Sequence, residues 1–230
     1  MQDKKAVAVG VRKWWLKNII GLVLVGAILL LASGKLNWGM AWTYLAVMVL
    51  IVIANAIAME PSLLVERSEL QEGTKKWDVA LASFVAIGGP FSIWLMAGLD
   101  IRYGWTQTTA PGLQAVAFIF FLLGSLIGTW AMASNRFFSA TVRIQKDRDH
   151  QVVTTGPYRY VRHPGYVGGI IAMLMTPLAL GSWVALIPGF VVASGYVLRT
   201  SLEDKVLQEE LVGYKEYAKE IRYRLFPMIW

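Results

Sequence analysis

Two clusters in the second half of the chain have residue types and spacing suited to chemistry. The first is the stretch from His150 to Tyr166, HQVVTTGPYRYVRHPGY, which concentrates imidazole, phenol and guanidinium groups between two apolar blocks. A residue before proline is pushed out of the helical region, which sets His163 extended. Proline is well tolerated at the first position of a helix, so a helix is expected to open at Pro164. Its free N–H groups and positive dipole end would face Tyr158 and His163, the makings of an anion site. The second cluster is Arg199 and Glu203, four residues apart and therefore on one helical face. Each cluster also has a plainer account. Gly156-Pro157 and His163-Pro164 would be ordinary turns of a basic loop, and Arg199–Glu203 a helix-surface ion pair worth ~0.3–0.5 kcal/mol.

The chain has no cysteine and only two histidines, His150 and His163. Disulfides, thiolate metal sites, a cysteine nucleophile and a histidine-rich metal cluster are thereby excluded, and no metal is expected.

The elements that must position these residues follow from composition. Of 230 residues 56% are hydrophobic, ten are Trp and only 16% are charged, against the ~25% charged expected of a soluble domain. The charges are clustered and leave long apolar windows, which predicts an all-α integral membrane protein with several spans. A net charge of +7 would point to nucleic acid in a soluble chain. Here it reflects topology and contact with anionic lipid, and no nucleic-acid partner is expected.

Lys4, Lys5, Arg12, Lys13 and Lys17 surround Trp14-Trp15 ahead of an apolar run, Ile19 to Ala32. That order resembles a signal peptide, with Ala32-Ser33-Gly34 as its cleavage site, but the later spans and the interfacial Trp pair favour a first membrane helix. Full spans are expected at Trp38 to Met59, Trp77 to Leu99 and Pro111 to Ala133, each near the ~20 residues a bilayer requires. Asn55 reads as glue between helices, Gly88-Gly89-Pro90 as a kink made for packing, and Gly124 with Gly128 as a small-residue pair for close helix contact. Between the second and third spans, EPSLLVERSELQEGTKKWD reads as a mixed-charge loop or surface helix, with Leu63, Leu64 and Leu70 placed to dip into the interface. A short loop is expected from Asp100 to Ala110.

Tyr166 to Leu198 is too long for one span and is interrupted by Pro177, Gly181-Ser182 and Pro188, which predicts a broken hairpin of two short helices. From Arg199 onward, Val206 or Leu207, Leu211, Tyr214, Ala218 and Ile221 recur at helical spacing. This predicts an amphipathic C-terminal helix, ended by Pro227. No repeat or linker divides the chain, so a single membrane domain is expected, with residues 1–133 as N-terminal spans and 134–230 as the part carrying the chemistry.

Charge placement supports this layout. Lys and Arg number five at the N-terminus, three after the second span, six in the central loop and six in the tail, leaving only Lys35 and Arg102 for the outer loops. The bias predicts both termini, the central loop and the tail on the cytosolic side, where the two clusters can meet.

At these residues the chain resembles the isoprenylcysteine carboxyl methyltransferase family, whose superfamily includes the phospholipid N-methyltransferases. The resemblance covers about His150 to Pro227. It rests on GPYRYVRHPGYVGG (Gly156 to Gly169), then Arg199-x-x-x-Glu203-Asp204, Gly213-Tyr214-x-x-Tyr217 and Arg224-x-x-Pro227. It implies S-adenosylmethionine as cofactor, bound inside a helical membrane bundle without a Rossmann domain, and the chain has no strand-glycine-helix fingerprint of such a domain. By the same resemblance His150, Gln151, Val152 and Val153 wall the cofactor pocket. Tyr158 and the turn His163-Pro164-Gly165-Tyr166 clamp the cofactor, Glu203 is its acidic contact, and Arg199 is the substrate-carboxylate ligand. Asp204 departs from the family's usual second Glu, and Gly165 stands where members vary. The first four spans match no motif, and substrate selection is expected there.

The implied partner is a lipophilic small molecule or a lipidated substrate within membrane lipid. Methyl transfer from a sulfonium is an in-line displacement, for which positioning alone supplies ~7–11 kcal/mol. A carboxylate acceptor is already ionised near neutral pH. Arg199 would hold it bidentately while Glu203 balances the cofactor's positive charge. An amine acceptor is a second reading, disfavoured by an arginine beside the nucleophile. The membrane sterol-type reductases, which share an Arg-His-Pro-x-Tyr-like turn and use NADPH, are a third, and a non-catalytic scaffold is a fourth.

Overall fold

The computed structural model describes residues 4–106 and 109–230. Among them every regular element is helical, so no sheet is present on which a Rossmann domain is built. Four helical segments are long and apolar enough to cross a bilayer. They are α1 (Lys4–Ser33), α2 (Gly39–Ala58), the continuous pair α4 (Lys76–Ser83) and α5 (Gly89–Tyr103), and α6 (Pro111–Ser134). The expected starts at Trp38, Trp77 and Pro111 lie within one residue of those found. Helix α1 begins earlier than its apolar run and carries the basic Lys5–Lys17 segment in the same helix. Helix α5 overruns the expected loop start at Asp100 and stops at Gly104, whose φ of 66° ends the helix left-handed. Residues 107 and 108 of that loop lie outside the described residues.

Small residues set the helix spacing. A Cβ at Gly168 of α7 (Pro164–Ala179) would overlap the Gly124 carbonyl oxygen of α6 and lie 2.8 Å from the Gly128 nitrogen, so the two backbones touch. This is the close contact expected of the Gly124/Gly128 pair. A Cβ at Gly98 would come within 2.6 Å of Ala32 Cβ, joining α5 to α1. Asn55 accepts a 2.8 Å bond from Thr129 Oγ1, tying α2 to α6. Between α4 and α5 the chain takes one π-helical turn, Phe84–Gly88. There Gly89 lies against Val192, and a Cβ on Gly195 would lie 3.0 Å from Val85, both contacts to α8 (Leu186–Glu210). The kink therefore serves packing, as expected.

The hairpin is present as α7 and α8 with its break at residues 180–185, but α8 is not short. It runs 25 residues and carries Arg199 and Glu203 in its interior. The amphipathic C-terminal helix is divided. Helix α8 ends at Glu210, Gly213 turns left-handed at φ 83°, and α9 (Tyr214–Glu220) folds back, ending well before Pro227. The apolar stripe is still used. Leu211, Tyr214 and Tyr217 form a buried cluster with Leu207, Ala218 and Ile221 against Ile144 and Val152 of the central loop. Leu63 and Leu64 do not dip into the interface. They lie in α3 (Pro61–Glu66), buried against Trp14 and Met59, and only Leu70 is exposed.

Candidate active site

The loop joining α6 to α7 is held from three directions. Gly156, at φ 59°, passes so close to Ser134 at the end of α6 that a Cβ would overlap its hydroxyl. The Tyr217 hydroxyl donates to the Tyr158 carbonyl at 2.7 Å, and the N–H groups of Arg162 and His163 donate to the Tyr223 and Arg224 carbonyls at 3.0 and 2.9 Å. On the opposite side Arg143 forks onto Glu66 of α3 at 2.9 and 3.0 Å and also bonds Asp147.

Asp204 is the hub of this half. It is fully buried and accepts a bidentate pair from Arg162 at 2.8 and 3.0 Å. Gln208 adds a bond at 2.7 Å, Arg224 Nε one at 2.9 Å and the Tyr214 hydroxyl one at 3.0 Å. His163 Nε2 lies 3.2 Å from the same carboxylate. One side chain thus joins the start of α7, the middle of α8, α9 and the tail. Arg224, Gly213 and Tyr214 thereby acquire a physical reason: they bring donors to Asp204.

Between loop and helices lies a cleft of about 780 Å³, its open mouth included. His150, Gln151, Val152, Val153, Tyr158, His163, Gly165, Tyr166, Arg199 and Glu203 all line it, so the structure brings every candidate residue but one to a single wall. The exception is Pro164, which starts α7 at its first position. Gly165 has a steric role, since a Cβ there would meet the Phe138 ring at 2.6 Å.

His150 packs against Phe137, with ring centroids 4.6 Å apart and the planes tilted by 34°, and its Nδ1 accepts the Gln145 N–H at 3.3 Å. Burial first, and then the charges of Arg143 and Arg148, lower its pKa to about 4, so the ring is neutral at pH 7. Burial, opposed by the Asn135 bond and reinforced by Glu203, pushes the Tyr158 phenol up, which keeps it protonated.

Arg199 and Glu203 share a face but not a bond. Arg199 forks onto the buried Asp78 of α4 at 2.7 and 2.9 Å and donates to the Ala140 carbonyl at 2.8 Å. These contacts use Nε and Nη2, so the double-bonding edge expected for an acceptor is taken by Asp78. Its guanidinium carbon also lies 5.3 Å from the centre of the Tyr166 ring. Glu203 instead accepts from the Tyr166 hydroxyl, and the Tyr166 ring is parallel to His163 at 5.7 Å. A surface ion pair is therefore not what these two residues form.

Asp78 was not legible as a site residue, because it lies 121 positions from its partner. Phe137, Phe138 and Asn135, which follow α6, also line the cleft. Their aromatic pair in an otherwise polar loop was the available signal. Arg162 sits inside the Gly156–Gly169 motif, and Tyr214 and Tyr217 inside Gly213-Tyr214-x-x-Tyr217, where spacing alone assigns them no role.

Residues 116–209, from α6 nearly to the end of α8, match the model of the isoprenylcysteine carboxyl methyltransferase (ICMT) family. Curated relatives include a protein-S-isoprenylcysteine O-methyltransferase of Schizosaccharomyces pombe, 34% identical over 111 residues, 47% of each chain. Another, of Dictyostelium discoideum, is 31% identical over 110 residues, 46% of each chain. A third, of Saccharomyces cerevisiae, is 32% identical over 108 residues, 44% of this chain and 43% of that one. The chain thus spans about half the length of the curated relatives it matches. Through the segment that builds most of the cleft, the chain is similar to the isoprenylcysteine carboxyl methyltransferase family.

Proposed function

We propose that the protein is an integral membrane methyltransferase that moves a methyl group from S-adenosylmethionine to the carboxylate of a lipophilic, isoprenylcysteine-like acceptor. The observation that carries this reading is the convergence of the loop 150–153, the His163–Tyr166 turn, Arg199 and Glu203 on one cleft inside the segment that matches the family. The wall suits the cofactor. Glu203 offers a carboxylate to its positive groups, and Phe137 and His150 offer flat faces.

When bound, S-adenosylmethionine supplies an electrophilic methyl carried on a sulfonium. The protein's part is positioning. Tyr166 fixes the Glu203 carboxylate, the Asp78 fork and the Ala140 carbonyl fix the Arg199 guanidinium, and the aromatic wall keeps water out. A carboxylate acceptor needs no general base. The N-terminal spans select the acceptor's apolar part, and residues 134–230 bind the cofactor. The division is not strict, because Asp78 and Glu66 reach into the second part. The positive-inside bias supports a cytosolic side for both termini and the cleft.

The test is a binding series with S-adenosylmethionine, its demethylated product and NADPH, followed by transfer of labelled methyl into a lipid extract. The expected result is binding of the first two and an alkali-labile product. A base-stable product indicates an amine acceptor, and binding of NADPH alone indicates a reductase.

A further inference from the structure

Arg67, in the turn after α3, is a cation with no ion-pair partner among the described residues. The half-buried and buried arginines around the cleft each hold a carboxylate: Arg143 has Glu66 and Asp147, Arg162 and Arg224 share Asp204, and Arg199 has Asp78. Arg67 is half-buried and, among the described residues, has no carboxylate within ion-pair distance. Its neighbour Glu66 is already engaged by the Arg143 fork and the Ser139 hydroxyl. What Arg67 has instead are two bonds to the Phe138 and Ser139 carbonyls, both 3.4 Å, beyond the 2.7–3.2 Å range of good N–H···O geometry. Its guanidinium carbon lies 5.2 Å from the centre of the Phe138 ring. Phe138 and Ser139 both line the cleft.

The position is telling. Arg67 is close enough to Arg199, Tyr166 and Tyr196 to feel all three, and burial and then the Arg199 charge hold its pKa below the usual arginine range. Withdrawing an unpaired guanidinium from water is costly, and an anion nearby removes that cost. Arg199 cannot close a second fork, because Nε and Nη2 are bound to Asp78 and Ala140.

We propose that Arg67 is the specificity-determining cation for the acceptor, receiving its carboxylate at the Phe138–Ser139 edge of the cleft beside Arg199. This rests on the reading of the acceptor as a carboxylate. The experiment measures binding of N-acetyl-S-farnesylcysteine and of its neutral amide, and S-adenosylmethionine affinity, in the wild type, Arg67→Gln and Arg67→Lys. Glutamine retains a donor for the two carbonyls while removing the charge.

The expected result is that the wild type prefers the acid and that Arg67→Gln loses about tenfold or more in acid affinity, the scale of a charge-assisted bond. Amide and S-adenosylmethionine affinities should stay unchanged, and Arg67→Lys should keep part of the preference. A wild-type preference that survives intact in Arg67→Gln overturns the role of Arg67 alone. No preference in the wild type overturns the carboxylate reading as well. Loss of S-adenosylmethionine binding in both variants assigns Arg67 a folding role and overturns the proposal.

Discussion

Replacing Asp204 tests whether the cofactor half of the site is built around one buried acid. The carboxylate is fully buried, and the side chain of its principal partner, Arg162, is only 6% exposed. Asp204→Ala leaves that guanidinium buried with only the backbone carbonyls of Ala218, Ile221 and Arg222 as partners. Breaking a buried pair from one side costs ~3–5 kcal/mol, a large share of a typical total of ~5–15 kcal/mol. For a chain of this size the thermal midpoint should fall by on the order of 10 °C. Asp204→Asn should do nearly as badly, since one oxygen becomes an amino group facing donors from Arg162, Gln208, Arg224 or Tyr214.

The control is the adjacent acid. Glu203 is half-buried and bonded only to Tyr166 among the described residues, so Glu203→Gln should cost ~1 kcal/mol of stability or less. If the cofactor role is right, it should also weaken S-adenosylmethionine at least ~10-fold, or ~1.4 kcal/mol. Intrinsic Trp fluorescence during heating in detergent gives the midpoint, and titration gives the affinity. An Asp204→Ala protein that melts with the wild type and binds S-adenosylmethionine equally well would refute the hub argument.

Three further outcomes follow from the geometry. Gly168→Ala places a methyl against the Gly124 carbonyl and Gly128 nitrogen. Backbone atoms cannot rotate away, so a loss of ~1–3 kcal/mol in stability is expected, with weaker S-adenosylmethionine binding as Tyr166 shifts. Gly112→Ala, with open space around it, should show neither effect. The depressed pKa of His150 means that the unfolded chain binds the extra proton first. The stability it contributes is complete above about pH 6.5 and is lost as pH falls toward about 4. Melting curves across that window should show a slope that His150→Gln flattens, and an unchanged slope counts against the buried neutral imidazole. Single cysteines at Gln151 and Lys219, both exposed, should resist an impermeant thiol reagent applied to intact cells, and labelling of either from outside contradicts a cytosolic site.

Much of the architecture was legible because its causes are local. Apolar runs of bilayer length, Pro111 and Pro164 at helix starts, and the Gly124/Gly128 spacing each act within a few residues. Their elements appear where the letters place them. The wall from His150 to Tyr166 was legible for a related reason, since a contiguous stretch carries most of its side chains. The division of the C-terminal helix at Gly213 was less so. An apolar stripe at helical spacing looks the same whether one helix or two carry it, and the left-handed glycine decides the matter only with Tyr217 and Tyr158 in reach of each other.

What the sequence by itself determined, then, is the membrane class, the spans and the wall of the cleft from His150 to Tyr166. The tertiary structure decided the pairing of charges. Arg199 is four residues from Glu203, yet its carboxylate is Asp78, 121 positions away, and Asp204 gathers Arg162 and Arg224 from opposite sides in sequence. Spacing along a helix says which side chains share a face. A buried guanidinium goes to the carboxylate that desolvation has left in reach, and that is settled only when α4, α8 and the loop are brought together.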